Sequence, residues 1–423
     1  MTTFQLLLWI LLGLGLQVGL FLALAFGRHW QAYQRLKAGA PAAPPHPPHA
    51  APAPARPIRQ DAWPGWRPLR VTRTVTEDVA GSIRSFYFTP EDGQPLPPFL
   101  PGQFLTFRLP VPAAAGGTLV RCYSLSDAPA PDSYRVTIKR VGPPPGADYP
   151  PGRSSNYFHD HVEVGTTLQV RAPSGHFYLE QGESPVVLVA GGIGITPLLS
   201  MLNWSLAAQP GREIWLFYGV HDGREAIRRE HLAALAAAHP QFHLRLCYSQ
   251  PRPEDQLGRD YQHRGRVDAT LLRLELPLRP YHFYVCGPPP LMVSLIPALE
   301  DWGVPADRLH FEAFGPASIA RRQPTAPPAD TSQGTPLGEV IQVNFAKTGR
   351  QLAWTPGATS LLELAEANGI NVDSGCRAGS CGTCQTRIKD GEVVYRQPPD
   401  YDPEPGACLP CLCTPKTHLT LEA

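Results

Sequence analysis

Asp373-Ser-Gly-Cys376-Arg-Ala-Gly-Ser-Cys381-Gly-Thr-Cys384 sets three cysteines on one loop with the spacing C-x4-C-x2-C. Thiolates at that spacing can converge on a single [2Fe–2S] cluster. Gly375, Gly379 and Gly382 give the loop the freedom to bring backbone N–H groups close to the sulfides of such a cluster. Zinc is the competing use of clustered cysteines, but it favours paired C-x2-C knuckles, and the first spacing here is wrong for that. Cys408, Cys411 and Cys413 compete to supply the fourth thiolate. Of the nine cysteines in the 423-residue chain, only Cys122, Cys247 and Cys286 precede this region. A disulfide scaffold would spread its pairs through a small domain, so the clustering points to a metal site in a reducing compartment.

Hydrophobic residues make up 43% of the chain and charged residues 17%, with a formal net charge of +1. That fits a globular protein of several domains and offers no basic stripe to nucleic acid. Many of the 50 prolines cluster, which marks linkers. Phe4–Phe26 is an apolar stretch of transmembrane length, its only strongly polar members being Gln5 and Gln17. No Lys or Arg precedes it, and it exceeds the apolar core of a signal peptide. An uncleaved anchor is therefore expected over a leader cut near Ala23-Leu24-Ala25. Arg28, Arg35 and Lys37 follow it, which predicts a single pass through the inner (cytoplasmic) membrane with the remaining domains in the cytoplasm. The Ala/Pro-rich segment Ala38–Trp63 predicts a semi-rigid tether reaching on the order of 80 Å. His46 and His49 within it are expected to be solvated.

From Arg67 to Leu179 the pattern is that of short strands: Val71–Val75, Ile83–Phe88, Gln103–Leu109, Tyr134–Lys139 and Thr167–Val170, separated by turn residues. This predicts a small antiparallel six-stranded β-barrel. At Val186–Ala190 the grammar changes to a continuous apolar run, the mark of a parallel strand buried on both faces. Helical and extended segments then alternate: Pro197–Ala208, Glu213–Tyr218, Ala226–Ala238, His243–Cys247, Ala269–Leu274, His282–Cys286 and Leu291–Glu300. This predicts an α/β domain with a parallel sheet. The chain is thus expected to be multidomain: an N-terminal transmembrane helix (1–27), a tether (28–65), a β-barrel (66–182), an α/β domain (183–316), a linker (317–337) and a cluster domain (338–423).

Arg121-Cys-Tyr123-Ser124, after the turn Pro101-Gly102-Gln103, resembles the R-x-Y-S flavin motif of the ferredoxin–NADP reductase superfamily. A guanidinium can grip a flavin phosphate in two places, a tyrosine offers a flat face beside the isoalloxazine, and a serine offers a hydrogen bond near N5. Gly152-Arg-Ser-Ser155-Asn156 resembles the helix start that binds pyrophosphate in the same superfamily. Its wording is similar to the reductase part of flavohaemoglobins and implies FAD over FMN. Those proteins have tyrosine after Pro-Gly-Gln, where this chain has Phe104, so a polar contact to the cofactor is lost. Gly191-Gly192-Ile-Gly194-Ile-Thr196-Pro197 matches the nicotinamide motif of the superfamily, and Cys286-Gly287-Pro288 would lie beside the nicotinamide. Glu312 and Phe314 in His310-Phe-Glu-Ala-Phe-Gly-Pro resemble the flavohaemoglobin terminus, where the aromatic covers the flavin and the glutamate lies near its reactive edge. Asp222 and Arg224 sit where a ribose 2′-OH or a 2′-phosphate is read, and the pair inclines the expectation to NADH over NADPH.

Residues 339–423 resemble a plant-type ferredoxin of the β-grasp fold. In that family the last cysteine is followed four residues later by proline, so Cys411 with Pro415 is the implied fourth ligand, ahead of Cys413. The order flavin, nicotinamide, ferredoxin resembles that of the phthalate dioxygenase reductase branch, which uses FMN. The resemblance implies a flavoprotein oxidoreductase that takes electrons from NAD(P)H through FAD to the cluster, and on to a membrane-associated protein acceptor such as a monooxygenase or desaturase. Ser124, Cys286, Glu312 and Phe314 would line the reacting edge. The other class considered is a redox-sensing or electron-transfer subunit of a membrane complex without its own turnover. Sodium-pumping quinone reductase chemistry is disfavoured, because there the ferredoxin domain comes first. Cys122 and Cys247 are expected in cores, with Cys408 and Cys413 flanking the cluster loop.

Overall fold

The computed structural model describes Gln17, Trp63 and residues 65–111, 117–143, 151–314, 340–354, 360–375, 377, 379, 382–395, 399, 401 and 403–423. The chain divides into two units, Met1–Ile58 and Arg59–Ala423. In the first, only Gln17 is described, helical and exposed. Among the described residues no helix is long and apolar enough to cross a membrane. The expected span Phe4–Phe26, apart from Gln17, and the expected tether up to Ala62 lie outside the described residues.

The second unit begins with β1 (Arg67–Thr76), β2 (Ile83–Pro90), β3 (Phe104–Leu109), β4 (Leu119–Ser124), β5 (Tyr134–Lys139), α1 (Arg153–His161) and β6 (Thr167–Ser174). The strands form one antiparallel sheet in the order β4-β3-β6-β1-β2-β5. A bridge between Leu125 and Val136, with Ser126 N donating to Arg135 O at 2.9 Å, joins its two ends into a barrel. Alternate residues turn inward, so Leu69, Val71, Phe86, Phe88, Leu105, Phe107 and Val136 are buried together. Arg121–Ser124 forms the end of β4, the strand that follows the Pro101-Gly102-Gln103 turn and β3. Cys122 is half-buried beside Thr106 Oγ1 at 3.3 Å, and so is not the core residue expected.

The next seven strands and helices carry the α/β pattern: β7 (Val186–Gly191), α2 (Ile195–Ala208), β8 (Ile214–Val220), α3 (Arg229–Ala238), β9 (Phe242–Tyr248), β10 (His263–Arg264) and α4 (Ala269–Glu275). They are completed by β11 (His282–Gly287), α5 (Pro289–Asp301) and β12 (Leu309–Ala313). All strands are parallel, in the order β10-β9-β8-β7-β11-β12. The chain moves outward from β7 to β10 and then returns to the other side of β7. That reversal opens a crevice at the carboxyl ends of β7 and β11, where open α/β sheets bind ligands. Cys247 is fully buried in this sheet, as expected. Helix α3 starts later than its apolar pattern suggests, because Arg228 takes a left-handed φ of 55° as its N-cap.

The last part comprises β13 (Gln342–Phe345), β14 (Arg350–Ala353), α6 (Leu361–Ala367), β15 (Thr386–Asp390), β16 (Val393–Tyr395), β17 (Ala407–Cys408), β18 (Cys413–Pro415) and β19 (Leu419–Leu421). Its mixed sheet runs β14-β13-β19-β15-β17, with β13 and β19 parallel, and β16 pairs separately with β18. Ser360 caps α6 by accepting the Glu363 N–H at 3.2 Å. The helix buries Leu361, Leu362, Leu364 and Ala365 among Val343, Phe345, Leu419 and Leu421. One helix held in the grip of a mixed sheet is the β-grasp arrangement expected.

Candidate electron-transfer site

At the crevice between β7 and β11 the backbones come together because side chains are missing. A Cβ on Gly194 would strike the Cys286 carbonyl, and one on Gly191 would lie 2.8 Å from Leu291 Cδ2 and from Pro288 Cδ. Gly287 is equally tight against Leu291 and Gly191. Gly192, at φ +52°, has only open space on its side-chain direction. The two motifs read separately in the sequence thus form one glycine-lined floor, a shape that fits the close approach of a dinucleotide. The Thr196 hydroxyl, expected to bind coenzyme, instead donates to Ile193 O at 3.0 Å, and both Thr196 and Pro197 are buried. What the turn presents is backbone.

Cys286 pairs in register with Ala190 on one side and Glu312 on the other. It is completely buried, and burial, then the Glu312 charge, pushes its thiol well above the usual range. It therefore stays a neutral thiol and supplies bulk, not a nucleophile. Phe314 packs half-buried on the same core, its N–H 3.4 Å from Gly287 O.

At the end of β8, Asp222 and Arg224 hold each other. Arg224 Nη2 lies 2.6 Å from Asp222 Oδ2, and this pairing keeps the Asp222 carboxyl below the usual range. The aspartate is buried while the arginine is mostly exposed, at the rim of a cleft of about 270 Å³ whose lining mixes Arg228, Arg229 and Arg252 with Glu77, Asp78, Glu230 and Asp255. Only the arginine end is presented outward. Replacing Arg224 by alanine is expected to lower kcat/KM for NADPH by about tenfold and leave that for NADH within about twofold, since a 2′-phosphate alone would use that cation. Equal losses with both coenzymes would show that the pair serves only the loop.

On the barrel, β4 carries the flavin motif. Tyr123 donates to Ser154 Oγ at 2.9 Å and meets Phe107 and Phe158 edge-on. Burial pushes its phenol up to about 12, so it stays a neutral donor. Ser154 was missed in the sequence, although it sits inside the quoted Gly152–Asn156 run. Ser155 and Asn156 do not point outward as expected. Ser155 Oγ accepts from Val141 N at 3.2 Å, and Asn156 Nδ2 donates to Val141 O at 2.8 Å and Gly152 O at 2.7 Å. Their side chains fasten the turn onto the end of β5. The start of α1 nevertheless fits an anion: it has no capping side chain, no acidic residue in its first turn, and Arg153 at its first position. Ser124 is 6% exposed and faces Phe104, which is buried under Gly175 and offers no polar contact.

The Arg121 side chain reaches from the barrel to the cluster domain. Its Nη1 donates to Val120 O at 2.7 Å and to Ser374 O at 3.4 Å, two residues before Cys376. Burial first, then the nearby Arg377 charge, lowers its pKa, and Arg377 is itself held by Glu366. The guanidinium retains further N–H groups for a phosphate.

In the cluster domain, Cys384 Sγ and Cys411 Sγ lie 3.2 Å apart. Cys413, the rival fourth ligand, is fully buried on β18 and hydrogen-bonded to Cys408, which with burial raises its thiol far above the usual range. Cys376 and Cys381 lie outside the described residues. Gly382 takes φ +65° with the Tyr401 ring where a Cβ would be, and Gly379 takes φ +75° against Leu412. The buried Thr383 hydroxyl has no hydrogen-bond partner among the described residues. Converging sulfurs, left-handed glycines and an unmet hydroxyl together fit a sulfide-bearing cluster.

Three family models match along the chain: an oxidoreductase FAD-binding domain over residues 70–178, an oxidoreductase NAD-binding domain over 188–296 and a 2Fe-2S iron-sulfur cluster binding domain over 343–416. A flavohemoprotein from Halalkalibacterium halodurans is 40% identical over 256 residues, 60% of this chain and 61% of that protein. One from Bordetella pertussis is 38% identical over 260 residues, 61% and 63% of the two. The chain thus spans about three-fifths of the length of these curated relatives. Among solved structures, phthalate dioxygenase reductase, a modular structure for electron transfer from pyridine nucleotides to [2Fe–2S], aligns over 85% of this chain and 98% of its own, with 25% identity and a TM-score of 0.51. The FAD/NAD-binding domain of a Vibrio cholerae nitric oxide dioxygenase covers 59% of this chain, with 29% identity and a TM-score of 0.51. The chain is composed, in order, of an oxidoreductase FAD-binding domain, an oxidoreductase NAD-binding domain and a 2Fe–2S iron–sulfur cluster binding domain.

Proposed function

We propose that this chain takes electrons from NAD(P)H at the crevice between β7 and β11, holds FAD along β4 and the start of α1, and delivers electrons through a cluster on Cys376, Cys381, Cys384 and Cys411 to a protein acceptor of the monooxygenase or desaturase kind. The observation that carries this is Arg121, a flavin-motif residue whose guanidinium touches the backbone of the cluster loop at Ser374. When bound, FAD accepts electrons in a pair and releases them singly, and the cluster carries them one at a time.

The protein's own part is placement. Arg121 keeps its positive charge and answers the phosphates on one side and the Ser374 carbonyl on the other. Tyr123 and Ser154 fix the wall beside the isoalloxazine. Phe314 covers the core around Cys286 and must swing aside for a nicotinamide ring to stack. Replacing Arg121 by glutamine removes a charge-assisted contact and is expected to weaken FAD binding by roughly 10- to 100-fold. At saturating FAD, cytochrome c reduction should fall further than ferricyanide reduction. Equal losses would mean that Arg121 does not serve the path to the cluster.

The apolar segment Phe4–Phe26 and the charges after it support anchoring in the inner (cytoplasmic) membrane with the later domains in the cytoplasm. The tether would hold the soluble part near a membrane-bound acceptor and raise its effective concentration there. A chain lacking residues 1–62 should retain NADH–ferricyanide activity and lose delivery to that acceptor. Undiminished delivery would refute the anchoring role.

A further inference from the structure

Away from the electron path, three side chains converge where the barrel hands over to the α/β sheet. Glu180 lies in the segment between β6 and β7, His282 begins β11 and His310 lies on β12. Their ligand atoms all lie within 4.8 Å of one another, the one such group of His, Cys, Asp or Glu found among the described residues. His282 Nδ1 is 3.4 Å from His310 Nε2 and 3.8 Å from Glu180 Oε2. We propose that Glu180, His282 and His310 bind a divalent transition cation of the zinc type, with a fourth position open to water.

The spacing supports this. Four-coordinate bonds of about 2.0–2.2 Å put neighbouring ligand atoms about 3.3–3.6 Å apart. The two imidazoles already stand at that spacing, and the exposed Glu180 carboxylate would move inward to complete it. As a hydrogen bond the His–His contact is long. Tyr284 supplies the outer support: its ring stacks on His310 with centroids 4.5 Å apart, and its hydroxyl accepts from Glu180 N at 3.0 Å. Burial lowers the His282 pKa, opposed by the Glu180 and Asp307 charges and assisted by Arg308 and Arg212, a direction that favours the neutral imidazole a metal needs. Arg212 is engaged by the carbonyls of Ser184 and Glu180. Two imidazoles select zinc, nickel or copper over magnesium. His282 precedes Cys286 by four residues on one strand, about 13 Å, so the cation would fasten the interdomain segment to the sheet without touching the reacting groups.

The test is calorimetric titration of zinc chloride into the flavin- and cluster-loaded chain, with magnesium chloride as control, beside the variants His282→Gln, His310→Gln and Glu180→Gln. One zinc per chain is expected, with affinity falling about 100-fold in either histidine variant and less in Glu180→Gln. Zinc should raise the Tm of the parent and not that of His310→Gln, both scored in samples that keep flavin and cluster absorbance. No zinc binding by the parent, equal binding by parent and histidine variants, or equal binding of magnesium would overturn the site.

Discussion

Replacing Cys411 by serine is expected to remove the cluster's visible absorbance and abolish cytochrome c reduction, while Cys413→Ser retains both. The two cysteines are two residues apart, Cys411 in the turn that leads into β18 and Cys413 at its first position. Cys413 turns into the core and bonds to Cys408, whereas Cys411 is half-buried, with its sulfur 3.2 Å from that of Cys384. A cluster needs sulfurs that converge, and the Cys411 sulfur stands beside that of Cys384 while Cys413 is packed fully into the core. Ferricyanide reduction, which draws on the flavin, should survive Cys411→Ser. If Cys413→Ser loses the cluster and Cys411→Ser keeps it, the ligand assignment is wrong.

The second large effect belongs to Gly194. Its missing side chain faces the carbonyl of Cys286 and the Cα of Gly287, all backbone atoms that no rotamer change can move aside. Gly194→Val must push β11 from the start of α2 and distort the crevice. A cost of about 3 kcal/mol in unfolding free energy is expected from such overpacking. Because a small misplacement of bound coenzyme is costly, kcat/KM for NADH should fall by about 100-fold. Gly192→Ala is the control: its side chain would enter open space, and the left-handed φ alone costs about 1 kcal/mol. Urea unfolding and steady-state kinetics on both variants decide the matter. Similar losses at the two positions would remove the special role of the Gly194 contact.

These two sites show what a sequence can disclose. Val186–Ala190 announces a strand buried on both faces because no polar residue interrupts it, and C-x4-C-x2-C announces sulfur ligation because the spacing is itself the chemistry. The Pro415 register selected Cys411, and the sulfur beside Cys384 agrees with that choice. Side-chain direction was not legible. Ser155, Asn156 and Thr196 lie in the motifs expected to hold cofactor, yet their polar atoms close local turns, an outcome set by short-range geometry that the motif wording does not encode. Nor could the sequence reveal that Asp222 and Arg224 neutralise one another, when each alone suggested a different coenzyme. The contacts Tyr123–Ser154 and Arg121–Ser374 join segments 31 and 253 residues apart, and only the folded chain brings them together.

The proposed function sets both redox groups in series on one chain, flavin first and cluster second. Anaerobic titration of the fully loaded protein with NADH, followed by visible absorbance and electron paramagnetic resonance, tests it directly. Two electrons for FAD and one for the cluster require about 1.5 NADH per chain, with the paramagnetic signal of a reduced [2Fe–2S] centre appearing in the parent and absent from Cys411→Ser. An end point at about one NADH per chain, with the flavin bleached and no reduced-cluster signal in the parent, would contradict the account.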